Sequence, residues 1–278
     1  MKGTESNNIF SREIETWETD DVLEFIHMAD ILAYDGVSRA MEQIKTAMKA
    51  ILERVKNGGR IIYVGAGTSG RLATQDVAEL WPTYGIGQEL FDCIMAGGDE
   101  AIKRSVEGAE DDRDEPIKML KEKAFNNKDV LIGISASGST PFVLSAIEYA
   151  NKIGSLSVGI TNNLHKPIHD VSKISVTMDT GPEVIQGSTR MKAGTSQKMV
   201  LNMISTTVAV KLGYTHRNIM SHMGAWYNEK LKKRAQTMLI QEFNLNDQEA
   251  RSLLEKYEYR IEPIFKLLKK EEDKDKER

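Results

Sequence analysis

Arg60-Ile-Ile-Tyr-Val-Gly-Ala-Gly-Thr-Ser-Gly70 is a short apolar run that breaks into a loop of small and hydroxylated residues. Such a run reads as a buried parallel strand, and the residues after the loop have helical periodicity. Val130-Leu-Ile-Gly-Ile-Ser-Ala-Ser-Gly-Ser-Thr140 repeats the design. Aligning Gly65 with Gly133 superposes Ser69 on Ser137 and Gly70 on Gly138. A strand, a Gly/Ser/Thr turn and a helix N-terminus together make an anion cradle. Glycines admit close approach, hydroxyls donate, and unpaired helix N–H groups point at the ligand. The two copies predict a duplicated sheet with two polar turns at its C-terminal edge.

Working outward, strand signals recur at 60–64, 90–95, 129–134, 156–160 and 174–178. Helical stretches fall between them at 70–80, 99–108, 115–123 and 141–152. This alternation predicts an α/β fold, a mostly parallel sheet covered by helices on both faces. Residues 19–56 read as helices, with Asp20 or Asp21 as a cap. Residues 181–195 read as a polar loop, and Ser196–Leu212 as a helix apolar nearly all round, buried in the domain or against a partner chain. Residues 226–267 read as wholly helical, with a capping box at Asn246–Glu249, and 269–278 as a frayed or irregular charged end.

Composition narrows the function. The net charge of −4 lacks the basic face that generic nucleic-acid binding needs. The apolar runs are too short to cross a membrane and no secretory leader is read, so a cytoplasmic protein is expected. The single cysteine, Cys93, leaves no intramolecular disulfide and reads as a buried structural thiol. His165 and His169 lie four apart, but Pro167 stands between them and no third ligand is evident, so no metal is assigned.

The hydroxyl-rich loops nominate Gly67, Thr68, Ser69, Ser135, Ser137, Ser139 and Thr140 for binding a small phosphorylated ligand. The first loop lacks the acidic residue that dinucleotide binding requires at the end of the next strand, and no Walker-type Gly-Lys-Ser/Thr is present. In 188–192, Ser188, Arg190 and Lys192 could close over a phosphate or reach a neighbouring subunit. Glu79, on the helix after the first loop, and Glu110, at the end of the helical stretch after the second strand, could converge as acid and base; solvated surface is the ordinary alternative for each.

Gly65-Ala-Gly-Thr-Ser-Gly-Arg-Leu72, Ala96-Gly-Gly98, Val106-Glu-Gly-Ala-Glu-Asp111, Ser135-Ala-Ser-Gly138 and Gly187-Ser-Thr-Arg-Met-Lys-Ala-Gly-Thr195 resemble the N-acetylmuramic acid 6-phosphate etherases. These belong to the sugar isomerase (SIS) superfamily, which also includes the glucokinase regulatory protein. The resemblance runs from about residue 4 to 260, and the stretch from 187 to 202 is its most specific part. It implies an SIS-type domain at 57–225, an N-terminal helical segment at 1–56 and a C-terminal helical segment with a charged tail at 226–278. It further implies a homodimer without metal or cofactor that cleaves the lactyl ether of a sugar phosphate, giving N-acetylglucosamine 6-phosphate and D-lactate. The family's two catalytic glutamates fall on Glu79, the expected proton donor, and Glu110, the expected base.

The donor role calls for burial of Glu79 beside Trp81. Two rival functions stay open. One is an aldose–ketose isomerase, which shares the C2 deprotonation. The other is a non-catalytic sugar-phosphate sensor, for which an acid and a base are superfluous. The chain departs from the family pattern at Ala78-Glu-Leu-Trp-Pro82, at Asn218-Ile-Met-Ser-His-Met223 and at Tyr227. These differences bear on the C3 substituent more than on the phosphate site.

Overall fold

The computed structural model describes residues 3–227 and 229–276. Its Cα packing divides the chain into two compact units, residues 1–77 with 88–204, and residues 78–87 with 205–278.

The first unit is built on five parallel strands, β1 (Ile61–Gly65), β2 (Phe91–Met95), β3 (Val130–Ile134), β4 (Leu156–Thr161) and β5 (Ile174–Thr177). Their order is β2-β1-β3-β4-β5. Every residue of β1, β3 and β4 is buried, as expected for strands covered on both faces. The helices of this unit are α1 (Thr19–Arg39), α2 (Met41–Lys56), the start of α3 (Gly67–Tyr84), α4 (Glu100–Lys103), α5 (Glu115–Glu122), α6 (Pro141–Lys152), α7 (Pro167–Val171) and the first half of α8 (Lys192–Lys211). Ile62, Val64, Ile94 and Leu131 pack against Phe142, Val143 and Ile147 of α6 and Leu120 of α5 in one core cluster. Gly133 lets α6 sit close on the sheet, since a Cβ there would meet Ile147 Cδ1 at 2.7 Å and Val143 Cγ1 at 2.8 Å. Helix α2 turns Ile44, Ala47, Met48, Ile51 and Val55 inward and packs on β3, β4 and β5.

Helix α1 is different. Of its 21 residues only Ala33, Gly36 and Val37 are buried, while Leu23, Met28, Ile31, Leu32 and Tyr34 are exposed.

The second unit holds the end of α8 and three further helices, α9 (Glu229–Phe243), α10 (Asp247–Lys256) and α11 (Ile261–Lys276). Leu231, Ala235, Leu239, Ala250, Leu254, Ile264 and Phe265 form its core. The capping box is present: Glu249 N–H donates to Asn246 Oδ1 at 2.9 Å, and Asn246 N–H donates to Glu249 Oε2 at 2.8 Å.

Strand positions and α6 follow the sequence reading to within a residue or so, but several helices do not. The stretch 99–108 is only the single turn of α4, because Arg104 is extended and Gly108 takes a left-handed turn at φ 77°. Glu110 therefore lies on a short 3-10 turn, Ala109–Asp111, and not at a helix end. Helix α3 passes through Trp81-Pro82 to Tyr84: near a C-terminus the proline removes a single helical hydrogen bond, and Gly85 N–H still reaches Trp81 O at 2.9 Å. Helix α8 starts one turn before Ser196, for a reason given below. Neither Asp20 nor Asp21 caps α1; both lie in its first turn after Glu18, where their charge suits the helix dipole. The region 226–267 is broken at Asn244 and at Glu258-Tyr259, all three with positive φ. The charged run 269–278 is helical through Lys276, and residues 277 and 278 lie outside the described residues.

Candidate active site

Chain order reverses between β1 and β3, which are neighbours although β2 lies between them in sequence. Helices depart to opposite sides of such a switch point and leave a crevice at the strand C-terminal ends. Gly65 pairs with Ile134, so the two hydroxyl-rich loops leave the sheet side by side. The register is one residue off the repeat alignment, which had set Gly65 against Gly133.

In the first loop, Gly65 and Gly70 press together. A Cβ on Gly65 would sit 2.8 Å from Gly70 N, and one on Gly70 would sit 2.8 Å from Gly65 O. Gly67 has φ 54° with open space beside it, so backbone is presented to whatever enters. Thr68 is half-buried and borders Gly194 of α8. Ser69 is buried and donates to Gln197 Oε1 at 2.8 Å. Gln197 Nε2 donates to Asn162 Oδ1 at 2.9 Å, and Asn162 Nδ2 donates to Ser196 Oγ at 2.7 Å and Met178 O at 3.0 Å. This buried relay ties the loop after β1 to α8 and to the end of β4. The sequence reading assigned no role to Gln197 or Asn162. The available signal was two asparagines directly after the apolar run of β4, where a strand end enters the crevice.

The second loop gathers its four hydroxyls on one another. Ser135 Oγ lies 2.8 Å from Thr140 Oγ1 and 3.3 Å from Ser137 Oγ, and Ser139 Oγ donates to Ser137 Oγ at 3.1 Å. Gly138 N–H donates to Ser135 Oγ at 3.0 Å and holds the turn at φ 71°. Ser135 is buried, Ser137 and Thr140 are half-buried and Ser139 is exposed, so the cluster runs from the core to solvent. Thr140 precedes α6 as its N-cap, yet its hydroxyl makes no capping bond to the helix.

A cavity of about 130 Å³ opens beside the first loop. Gly67, Arg71, Ala96, Ser105, Glu107 and Glu110 line it. Glu110 is exposed, and Ser105 Oγ donates to Glu107 Oε1 at 2.7 Å. One carboxylate of the expected pair thus shares a cavity with the first hydroxyl-rich loop. Glu79 belongs to the segment 78–87 of the second unit. It is exposed, and Trp81 is 43% exposed, so the burial expected beside Trp81 does not occur. Leu80, not Glu79, is the side chain that helix turn buries.

The third constellation divides. Arg190 is exposed and Ser188 half-buried. Lys192 is buried, and its ammonium donates to Pro182 O at 2.5 Å. Glu183, which the sequence reading left without a role, is fully buried beneath it. Its carboxylate accepts the N–H groups of Ala193 at 2.9 Å and Lys192 at 3.2 Å, and so starts α8 earlier than expected. Burial pushes the Glu183 carboxyl up, and the two N–H donors oppose that rise. Burial likewise pushes the Lys192 ammonium down, against the nearby Glu183 charge.

Two smaller expectations also have structural outcomes. Both ring nitrogens of His169 are engaged, Nδ1 with Lys166 and Nε2 with Thr177 Oγ1 at 2.9 Å, and Pro167 starts α7. Cys93 is half-buried, where a fully buried thiol was expected; it lies 3.5 Å from Thr74 Oγ1, and desolvation pushes its thiol up to about 11. Among the described residues no helix is long and apolar enough to cross a membrane, and no His, Cys, Asp and Glu group is arranged for a metal.

A 2-1-3-4-5 parallel sheet with paired hydroxyl loops at its switch point is the architecture of an SIS domain. The SIS domain family matches residues 102–206, and the glucokinase regulatory protein N-terminal SIS domain family matches residues 43–151. The phosphoheptose isomerase of Francisella tularensis superposes with TM-score 0.53 at 17% identity, over 70% of this chain and all of that one. That of Neisseria gonorrhoeae gives 0.53 at 16%, over 69% and all. Closer in sequence is the N-acetylmuramic acid 6-phosphate etherase of Clostridium beijerinckii, 42% identical over 268 residues, 96% of this chain and 88% of that protein. The etherase of Clostridium acetobutylicum is 47% identical over 232 residues, 84% and 76% respectively. The chain belongs to the N-acetylmuramic acid 6-phosphate etherase family.

Proposed function

We propose that this protein is a carbon–oxygen lyase that removes the O3 lactyl substituent from N-acetylmuramic acid 6-phosphate or a closely related amino sugar 6-phosphate. The observation that carries the reading is Glu110 in the cavity beside Gly67, between the segments that follow β1 and β2, in a chain whose relatives bear that name. The hydroxyl cluster of Ser135, Ser137, Ser139 and Thr140, with Gly67 and Thr68 of the first loop, suits a phosphate and sugar hydroxyls. Ser69 serves by holding the loop. Exposed Arg190, with Ser188, completes the anion site in this subunit or in a second one. Lys192, on Pro182 O, supports that segment from below.

The chemistry begins once the sugar ring opens and C1 is an aldehyde. The C2 proton is then acidic, and Glu110 takes it to give an enolate. The electron pair returns to form the C2–C3 double bond, and the C3–O bond breaks. The lactate oxygen leaves with a proton from Glu79, an exposed carboxyl that takes the donor role only once bound substrate shields it from solvent. Water adds its oxygen at C3 and a proton at C2, and the ring closes. The net reaction is hydrolysis of the ether, with no redox change.

The protein is proposed to work as a homodimer in the cytoplasm. The apolar residues left open along α1 support self-association: a helix that buries three of its 21 residues gains little from its own chain.

Incubation with N-acetylmuramic acid 6-phosphate should release D-lactate and N-acetylglucosamine 6-phosphate in equal amounts, with solvent deuterium at C2 of the product. A ketose product with no lactate would replace this reading with the isomerase. Binding of the sugar phosphate with neither product would replace it with the sensor.

A further inference from the structure

The second unit contains a cavity of about 840 Å³ that the proposed reaction does not use. Its size falls in the range of small-molecule sites. Trp81 and Tyr84 come from the last turns of α3, Tyr214 and His222 from the connection after α8, and Trp226 from the 3-10 turn before α9. Trp81 and Trp226 are each 43% exposed, an unusual state for two indoles lining one hollow. Trp81 and His222 are also positions at which the chain departs from the pattern it otherwise resembles.

The wall of the hollow is closely packed at several points. The Tyr214 and His222 rings lie 5.0 Å apart, and His222 Nδ1 is 3.0 Å from Ser221 Oγ. Gly85 comes so close that a Cβ would sit 3.0 Å from His222 O. Glu258, in the lining, and the next residue, Tyr259, both hold positive φ, at 52° and 60°. Two successive non-glycine residues in the left-handed region are strained, and such strain collects at ligand sites. The turn they form carries Glu258, Arg260 and Glu262 to the opening.

This combination specifies a chemistry. Indole and phenol faces take the C–H face of a pyranose ring. Carboxylates accept strong hydrogen bonds from sugar hydroxyls. Glu262 is ion-paired with Lys266, and the charges of Glu258 and Arg260 offset each other, so the rim has no net positive charge to hold a phosphate ester and tolerates an uncharged polyol. We propose that this cavity is a second binding site, for a neutral, non-phosphorylated saccharide stacked on Trp81 and Trp226 with its hydroxyls on Glu258 and Arg260. The site does not depend on the etherase reading.

Tryptophan fluorescence tests it in a Trp17→Phe protein, where the two cavity indoles are the only reporters. Titration with N-acetylglucosamine and with its β-1,4-linked dimer should give a saturable change that survives Glu110→Gln. Glu258→Gln should weaken the binding several-fold, and Trp226→Ala should weaken it roughly tenfold. Glu258 is exposed, so its variant keeps the test valid if Trp226→Ala does not fold. No saturable response to either sugar would overturn the proposal. So would N-acetylglucosamine 6-phosphate displacing the neutral sugar from the cavity with equal or greater affinity.

Discussion

Ser69 Oγ donates to Gln197 Oε1 at 2.8 Å, and both side chains are buried. The hydroxyl that the sequence offers as a phosphate ligand is thus turned inward, and the loop around it is held open by a relay through Gln197 and Asn162. In the proposed function Thr68 and the 135–140 hydroxyls are the groups that meet the substrate.

That relay gives Gln197 a structural role, holding Ser69 and Asn162 together. Gln197→Ala leaves Ser69 and Asn162 Oδ1 without these partners, and the loss should be about 2–3 kcal/mol in chemical denaturation. Ser69→Ala should lower stability by about 1 kcal/mol and raise KM more than it lowers kcat. A Ser69→Ala protein of unchanged stability with greatly weakened substrate binding would show that the hydroxyl contacts the ligand directly.

Glu79 and Glu110 are exposed, so Gln in place of either should change stability by less than about 0.5 kcal/mol. Lactate release should nevertheless fall by roughly 10²–10⁴-fold in each variant. The two roles separate in deuterium oxide. Glu110→Gln should lose exchange at C2 of the substrate together with lactate release. Glu79→Gln should retain exchange while losing lactate. The reverse pattern would swap acid and base.

Glu183 gives the fold a pH dependence of known sign. Its folded carboxyl is pushed above the ordinary 4.5 by burial. Its contribution is therefore fully present below that value and is lost as pH rises through the folded pKa. In Glu183→Gln this segment of the stability-against-pH curve should flatten. The amide accepts only one of the Lys192 and Ala193 N–H groups well, so stability near neutral pH should drop by about 1 kcal/mol. Denaturation curves across the acidic range measure both effects.

Leu23 and Ile31 on α1 are 61% and 66% exposed. If this face joins two copies, Leu23→Asp with Ile31→Asp should convert a dimer to a monomer in sedimentation. A wild-type protein that sediments as a monomer would remove the homodimer from the proposal.

The strands and the loops were legible for one reason. A strand buried on both faces must be a continuous apolar run, and a tight turn from such a strand into a helix draws on Gly, Ser and Thr. Gly65–Gly70 and Ser135–Thr140 therefore announce themselves within a few residues. Helix ends were less legible because they are set by distant partners. Glu183 starts α8 from nine residues upstream, and the left-handed Gly108 puts Glu110 on a short turn where helical spacing had promised a longer helix.

The sequence by itself determined that a parallel α/β sheet would carry two hydroxyl turns, and which family those turns resemble. Both are properties of contiguous residues, governed by local periodicity and backbone freedom. Only the tertiary structure decided that β1 and β3 are neighbours, that Ser69 faces Gln197, that Lys192 is buried while Arg190 is exposed, and that Trp81 and Trp226 line one hollow. Burial and hydrogen-bond pairing join distant residues, such as Trp81 and Trp226, 145 positions apart, and no local pattern encodes them.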